Sequence, residues 1–371
     1  MDKFEYRPSR YGALNAFMVQ SEDPTGILTE ELKQKARTSI GNTLETPVID
    51  YDGTISIGNT RSVTIADSEN TSEMVQITFT TYSWGFTIAP AMYMNNEIGI
   101  QKDFETKFMK YLYAFAKKLD EAAIAALAAA KTQVLKNKLL YDWSANAINA
   151  KWTERENVFG DLEVMMGAND FYGQLHIVGD PGVESIMRKL QQHGLYNDVN
   201  KQNEFGTKVV HLTNNIAAVG GKYAQGYAVN AGSLGMLTRF ERDCLLGTVS
   251  GDGHEWGIAT LPLLNMPVGT YFYDSVGDYN AIAEAATADM TRTRKEHYGF
   301  AVDVAFLTAY NSAPSTLASP ILAFNVSSED AVYAKPVVVM NTTDNPVNTK
   351  EAGAGAGARR SFNNDFNNDF G

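Results

Sequence analysis

The sequence predicts an α+β fold, in which helix and sheet are segregated rather than alternating. Three observations predict it. A long helical period runs uninterrupted through 103–136, a stretch of period-two alternation precedes it at 46–81, and most other strand signals fall late, between 208 and 326.

The helix carries the clearest pattern. Phe104, Phe108, Leu112, Phe115, Leu119, Ala122, Ala126, Ala130 and Val134 recur at steps of three and four. No Pro or Gly interrupts 103–136, and its second half is mostly Ala with Leu, Lys and Glu, the best helix formers. At about 1.5 Å per residue it makes a rod of roughly 50 Å. Such a rod is too long to be buried end to end in a compact core. Its aromatic first half is expected to pack on a sheet, and its Ala-rich second half to let another element approach closely. It would form the spine of an elongated, flat subunit.

Residues 1–44 are polar, with Arg7, Arg10, Lys33, Lys35 and Arg37 scattered through them. Thr29 caps a short helix expected to run to about Ser39. The rest has too little apolar periodicity to fold alone, so the segment is expected to lie as an extended arm on a neighbour; a loose terminus is the alternative. In 46–81, Ile55-Ser56-Ile57 and Val63-Thr64-Ile65 alternate, and Asp52-Gly53 and Gly58-Asn59 signal turns. A two-stranded ribbon is expected. It is acidic: Glu45, Asp50, Asp52, Asp67, Glu69 and Glu73 stand against the single basic residue Arg61. A lone ribbon is marginal in water, so this one is expected to be steadied by another chain. Asp50, Asp52, Arg61, Asp67, Glu69 and Glu73, with Arg7 and Arg10, are therefore the candidate inter-subunit contacts.

The aromatic stretch 82–100 should enter the core before the spine. After the spine the chain turns through 137–150, with Trp143 and Trp152 as anchors. A second unit follows: a helix at 158–168, a buried strand at 174–178, and a turn, Gly179-Asp180-Pro181-Gly182, opening a helix that Gly194 ends. Strands are expected at 208–212, 216–219, 226–229, 235–240, 257–264, 270–273, 296–308 and 320–326. Beyond 328, Val337-Val338-Val339-Met340 could add one more. A Gly/Ala run at 353–358 reads as a linker, and Phe362-Asn363-Asn364-Asp365 is repeated as Phe366-Asn367-Asn368-Asp369. That repeat could be a docking peptide or disorder without function.

The totals set limits. The chain has 371 residues and a formal net charge of -12, which argues against a dedicated nucleic-acid binder. Its one cysteine, Cys244, leaves no internal disulfide framework or cysteine zinc cage. There is no signal-peptide h-region at the start and no apolar run long enough to span a bilayer. No catalytic, cofactor or metal residues are assigned. Val219-Gly220-Gly221-Lys222-Tyr223 only resembles a phosphate loop: Asn215 stands where its first Gly should be, and Tyr223 where Ser or Thr is required. His176, His193, His211, His254 and His297 show no ligand spacing, and His254-Glu255 lacks the second His of a zinc-protease helix. Asp120-Glu121 in mid-spine is expected on a solvated face or in an intersubunit pair.

The order of these parts resembles the major capsid proteins of tailed bacteriophages, the Hong Kong 97-type fold. The parts are a polar arm, an acidic ribbon, and a long helix containing Leu119-Asp120-Glu121-Ala122-Ala123-Ile124-Ala125-Ala126-Leu127. Then come a unit with Ile177-Val178-Gly179-Asp180-Pro181-Gly182-Val183 and late strands reaching Ser319-Pro320-Ile321. The resemblance covers about 1–330. It implies an N-arm at 1–44, an E-loop at 45–81, and a P domain at 82–156 built on the spine. An A domain at 157–289, P-domain return strands at 290–330 and a C-terminal extension at 331–371 complete it.

The resemblance further implies a non-enzymatic virion protein, assembled in the host bacterial cytoplasm from copies of itself as hexamers and pentamers. No cofactor and no membrane are implied, and contact with packaged double-stranded DNA would be weak. Only some forty residues precede the E-loop, so a separate scaffolding protein is expected, with a portal and decoration proteins as further partners. Because 46–81 contains no Lys, isopeptide welding through this loop is not expected and the shell would hold by non-covalent contacts. The alternatives are an encapsulin-type nanocompartment shell and, from another class, an enzyme built around His254-Glu255 or Asp303.

Overall fold

A computed structural model of the chain describes residues 10–39, 41–49, 72–93, 97–131, 141–194, 208–240, 242–247, 253–278, 292–309 and 319–328. The fold is α+β. In chain order its elements are α1 (Gly12–Ser21), α2 (Glu30–Thr38), β1 (Thr43–Ile49), β2 (Ser72–Thr78), β3 (Thr80–Ile88) and α3 (Glu97–Ala130). Next come β4 (Asp142–Ser144), β5 (Ala147–Ala150), α4 (Val158–Gly167), β6 (Leu175–Gly179), α5 (Pro181–Gly194), β7 (Lys208–Leu212), β8 (Lys222–Asn230) and β9 (Leu234–Arg239). The last are α6 (Arg242–Leu246), β10 (His254–Leu261), β11 (Met266–Asp278), β12 (Arg292–Thr308) and β13 (Ile321–Ser327).

The spine is α3, a single helix of 34 residues. It begins six residues before its expected start. Of the expected end, 132–136 lies outside the described residues, and Ala130 is the last helical residue described. Its two halves do different work, as their composition dictates. Phe104, Phe108, Leu112 and Phe115 pack on the sheet of β3, β11 and β12, against Trp84, Phe86, Tyr298 and Phe300. Trp84 stacks on Phe300 at 4.1 Å between centroids, and Phe86 meets Phe104 edge-on at 5.2 Å. Such pairs add to area burial by about 0.5–1.5 kcal/mol each. Further along, Ala123 and Leu127 present a thin surface. Ala13, Ala16 and Phe17 of α1 pack against it, together with Val178, Val229, Leu234 and Ile321.

Two large sheets flank the spine. One runs β10-β11-β12-β3, with β9 also on β12. Asp303 of β12 pairs with Thr81 on one side and Arg239 on the other, so β9 and β11 follow each other along the same edge of that long strand. The second sheet runs β4-β5-β13-β8-β6-β7 and is covered by α4 and α5 through Phe159, Leu162, Met166, Val183 and Ile186. Sheet membership cuts across the boundaries expected at 157–289 and 290–330: β9, β10 and β11 belong with β3 and β12, while β13 sits inside the second sheet. The segment 216–219, expected as a strand, is irregular. The expected strand at 337–340 and the repeat at 362–369 lie outside the described residues.

The first 44 residues need the largest correction. Residues 10–39 are not an extended arm but carry α1 and α2 packed on the chain's own body. In α1, Ala13, Leu14, Ala16, Phe17 and Gln20 are buried. Tyr11 bridges to Thr213 at the end of β7. Gly12 permits this docking, since a Cβ there would lie 2.5 Å from the Leu212 carbonyl. In α2 the Thr29 hydroxyl accepts the Leu32 N–H at 3.2 Å, the cap expected from sequence.

Asp120, expected at a solvated face or between subunits, is fully buried. Its carboxylate accepts the Leu14 N–H at 2.9 Å, the Thr213 hydroxyl at 2.5 Å and the Asn215 side-chain amide at 2.8 Å. One side chain thus ties α1, the spine and the end of β7. Glu121 is on the surface with Lys117 and Lys118.

Candidate functional site

The candidate site is the ribbon and the surface at its root. β1 and β2 form a sheet of their own, antiparallel, in register from Thr43↔Thr78 to Ile49↔Ser72. The base is anchored. Leu44, Ile77 and Phe79 are buried with Leu28, Ala36, Leu237 and Ala305. Burial falls away from that base, and Met74 is 56% exposed. Outward from that base, among the described strands, β1 and β2 pair only with each other, while Lys35 of α2 reaches the Glu45 carbonyl near the root. Residues 50–71, between β1 and β2 in the chain, lie outside the described residues.

A polar knot pins the root. The Arg239 guanidinium donates to Asp303 at 3.0 Å and to the Ser39 hydroxyl at 3.0 Å, and lies over the Phe79 ring at 4.3 Å. The other Asp303 oxygen accepts the Thr81 hydroxyl at 2.6 Å. The step from β2 into β3 is therefore held from both sides. Arg239 is almost wholly buried, so Arg239→Ala leaves the Asp303 charge without its partner. We expect a loss of about 3 kcal/mol, in the range for breaking a buried pair. Urea denaturation would measure it, and new proteolytic cleavage near Phe79 would show that the root has loosened.

The expected contact residues fall as follows. Arg7, Asp50, Asp52, Arg61, Asp67 and Glu69 lie outside the described residues, and Glu73 sits on β2 opposite Val48. Arg10 is half-exposed and forms an ion pair with Glu184 of its own chain. Arg10, and then Arg188, hold the Glu184 carboxyl below its usual range. The sites weighed for an enzyme are also placed. His254 and Glu255 lie on strand β10, not in a loop, and both are exposed. Asp303 is committed to Arg239 and Thr81. Lys222, of the phosphate-loop-like stretch, opens β8 and donates to Asn149 at 2.6 Å. Among the described residues no group of three or more His, Cys, Asp or Glu could hold a metal ion. No helix among them is long and apolar enough to cross a membrane.

Two histidines without ligand spacing in the sequence meet in space. His176 and His211, on the parallel strands β6 and β7, are 5% exposed each, with Nδ1 of one 3.1 Å from Nε2 of the other. Asn15 of α1 lies 3.4 Å from the remaining nitrogen of His211. Burial, and then His176, push the His211 imidazole from its usual 6.5 down to about 4. The folded state keeps this ring neutral while the unfolded state protonates it below 6.5. Its contribution is therefore complete above pH 6.5 and is lost as pH falls toward 4, by about 3 kcal/mol in all. Denaturation at pH 7 and pH 4.5 should show the loss, and His211→Gln should remove that part of the acid sensitivity.

No family model matches the chain, and no curated protein matches it. Among solved structures it is similar to the capsid of Ralstonia phage GP4, at 9% identity and TM-score 0.47, over 89% of this chain and 94% of that one. A structure from Mycobacterium phage Bobi matches at 11% identity and TM-score 0.46, over 88% and 94%. One from Mycobacterium phage Che8 matches at 10% and 0.45, over 87% and 94%.

Proposed function

We propose that the chain is the major capsid protein of a tailed bacteriophage, a structural subunit that assembles with copies of itself into an icosahedral shell around double-stranded DNA. The observation that supports this most is the ribbon. Two strands leave a well-anchored root, pair with each other and expose Met74 as they go. A two-stranded sheet of this kind gains little stability alone. A second chain laid along it supplies what is missing, and repetition of that contact closes a symmetric particle. The spine suits the same role, because one rigid helix joins the packing of both sheets and carries load across the subunit.

In this reading 45–81 is the E-loop, the spine and the β3–β12 sheet form the P domain, and the α4–α5 unit belongs to the A domain. The described part of 1–44 is a clamp on its own subunit, leaving the segment before Arg10 to reach a neighbour. Hexamers and pentamers of the chain, a separate scaffolding protein, a portal and decoration proteins are the partners. The net charge of -12 suits a wall that does not grip packed DNA. The chain is located in the virion after assembly in the bacterial host. Negative-stain microscopy of the chain expressed with and without its neighbouring genes tests the proposal. Closed shells of uniform size are expected in at least one of the two. Only dispersed single subunits in both would overturn it.

A further inference from the structure

The sheet of β3, β10, β11 and β12 has its second face turned away from the spine. Alternation along the strands places Trp256 and Ile258 of β10, Tyr271 and Tyr273 of β11, and His297 of β12 on it. The rings form a row: Trp256 to Tyr271 at 5.7 Å, Tyr271 to Tyr273 at 6.3 Å and nearly parallel, Tyr273 to His297 at 4.4 Å. Tyr271 lies flat across Gly299, where a Cβ would meet its ring at 2.0 Å. Beyond that ring the floor is made of small residues, Ser83, Ala301 and, beneath the Cys244 side chain of α6, Gly269, and a groove of about 980 Å³ opens toward α2. Tyr271 is 37% and Ile258 47% exposed. A row of partly buried rings with Tyr271 exposed, beside a floor of small side chains, is shaped to receive other rings.

The groove also has a sign. Among the described residues, the charged side chains lining it are Arg37, Arg239 and Asp303. Arg239 and Asp303 neutralise each other. Arg37 is exposed and, among the described residues, forms no ion pair within 4 Å, its interaction with Glu30 of the same helix being long-range, so the groove favours an aromatic, acidic ligand.

The chain contains such a segment. Residues 361–371 hold Phe362, Phe366 and Phe370 with Asp365 and Asp369 and no basic residue. A step of four puts the three rings on one side of a strand, and on nearly one side of a helix with a spacing of about 6 Å. That matches the ring spacing of the row. Residues 329–360 separate the repeat from β13, and a coil of that length spans on the order of 30 Å, or about 100 Å when extended. We propose that the groove is the docking site of the C-terminal repeat, 361–371, of the same or a neighbouring copy. Phe rings lie on the Trp256–Tyr271–Tyr273 row and an Asp carboxylate faces Arg37.

The chain's single cysteine offers a probe of this, because Cys244, only 6% exposed, lies against Gly269 at the edge of the groove. A tethered segment at roughly millimolar effective concentration, docking with a Kd of about 100 μM, leaves about one molecule in ten open. In the full chain, alkylation of Cys244 should therefore speed up about ten-fold when Phe362, Phe366 and Phe370 are all changed to Ala. Arg37→Glu should have part of that effect, and Asp365→Lys with Asp369→Lys should restore protection to it. A photo-crosslinking phenylalanine analogue at position 366 should label 254–273, in the same chain or in a second copy. Unchanged alkylation in the Phe variant, or labelling confined to other segments, overturns the proposal. So does protection that survives the Phe changes and disappears only when the acidic ribbon of 50–71 is altered, since the ribbon would then be the occupant.

Discussion

Asp120→Ala is expected to destabilise the subunit by about 4 kcal/mol and to release its first helix. The carboxylate is fully buried and is the acceptor for three donors: the Leu14 N–H, the Thr213 hydroxyl and the Asn215 amide. Removing it leaves all three without an acceptor, at about 1–3 kcal/mol each. Undocking of α1 gives those donors to water, so the free energy of docking limits the cost. Loss of stability and loss of α1 should therefore appear together. Chymotrypsin should cut at Phe17, now buried against the spine. Asp120→Asn keeps the volume and can accept the Leu14 N–H, but it sets an amide against a second amide at Asn215. About half the loss is expected there. Urea titrations with parallel proteolysis would check both variants. Full stability of Asp120→Ala with Phe17 still protected would mean that α1 is held by its apolar face alone.

Replacing 50–71 by Asn-Gly should leave the fold intact and abolish shell formation. The register makes the replacement clean. Ile49 and Ser72 face each other as the last described pair, so a two-residue turn can close the hairpin there. The root, with Leu44, Ile77, Phe79 and the Arg239–Asp303 pair, is untouched. Denaturation should agree with the full chain within about 0.5 kcal/mol, as for surface changes away from buried features. Light scattering should find no particles. If the shortened chain still closed shells of normal size and stability, the ribbon would be dispensable and this part of the function proposal wrong.

The two predictions also mark what could be seen in the sequence. The spine was legible because its apolar residues keep one period across its length, and its division into aromatic and Ala-rich halves became two different packings. Asp120 was not, although it falls on the buried stripe: Leu112, Ala116 and Asp120 are spaced by four, and Ala123 and Leu127 continue the line. An acid on an apolar stripe signals a buried acceptor, and its donors come from residues about a hundred positions away on either side. The first helix was hidden for the opposite reason. Its stretch, Gly12–Ser21, is apolar nearly all round, so no polar face gives it a period.

Apart from 216–219, the strands expected between 208 and 326 were placed well one by one, but their grouping could not be read. Alternation says which face of a strand is buried, not which strand lies beside it. Hence the sheet partners of β10, β11 and β13 could not be read from the strands themselves. The His176–His211 contact was invisible for the same reason, since adjacent parallel strands bring together residues that are 35 apart in the chain. Of the candidate contacts, the acidic ribbon was legible as a ribbon. The pair of Arg10 with Glu184 of its own chain, 174 residues away, could not be read from sequence spacing.

The central claim is that β1 and β2 are completed by another copy of the chain. Amide hydrogen exchange of 43–49 and 72–78 tests it most directly, compared between isolated subunits and assembled particles of the same protein. Slow exchange in particles and fast exchange toward Ile49 and Ser72 in isolated subunits, with the root near Leu44 and Ile77 protected in both, is the expected result. Equal protection along the whole ribbon in a lone, compact subunit would contradict it.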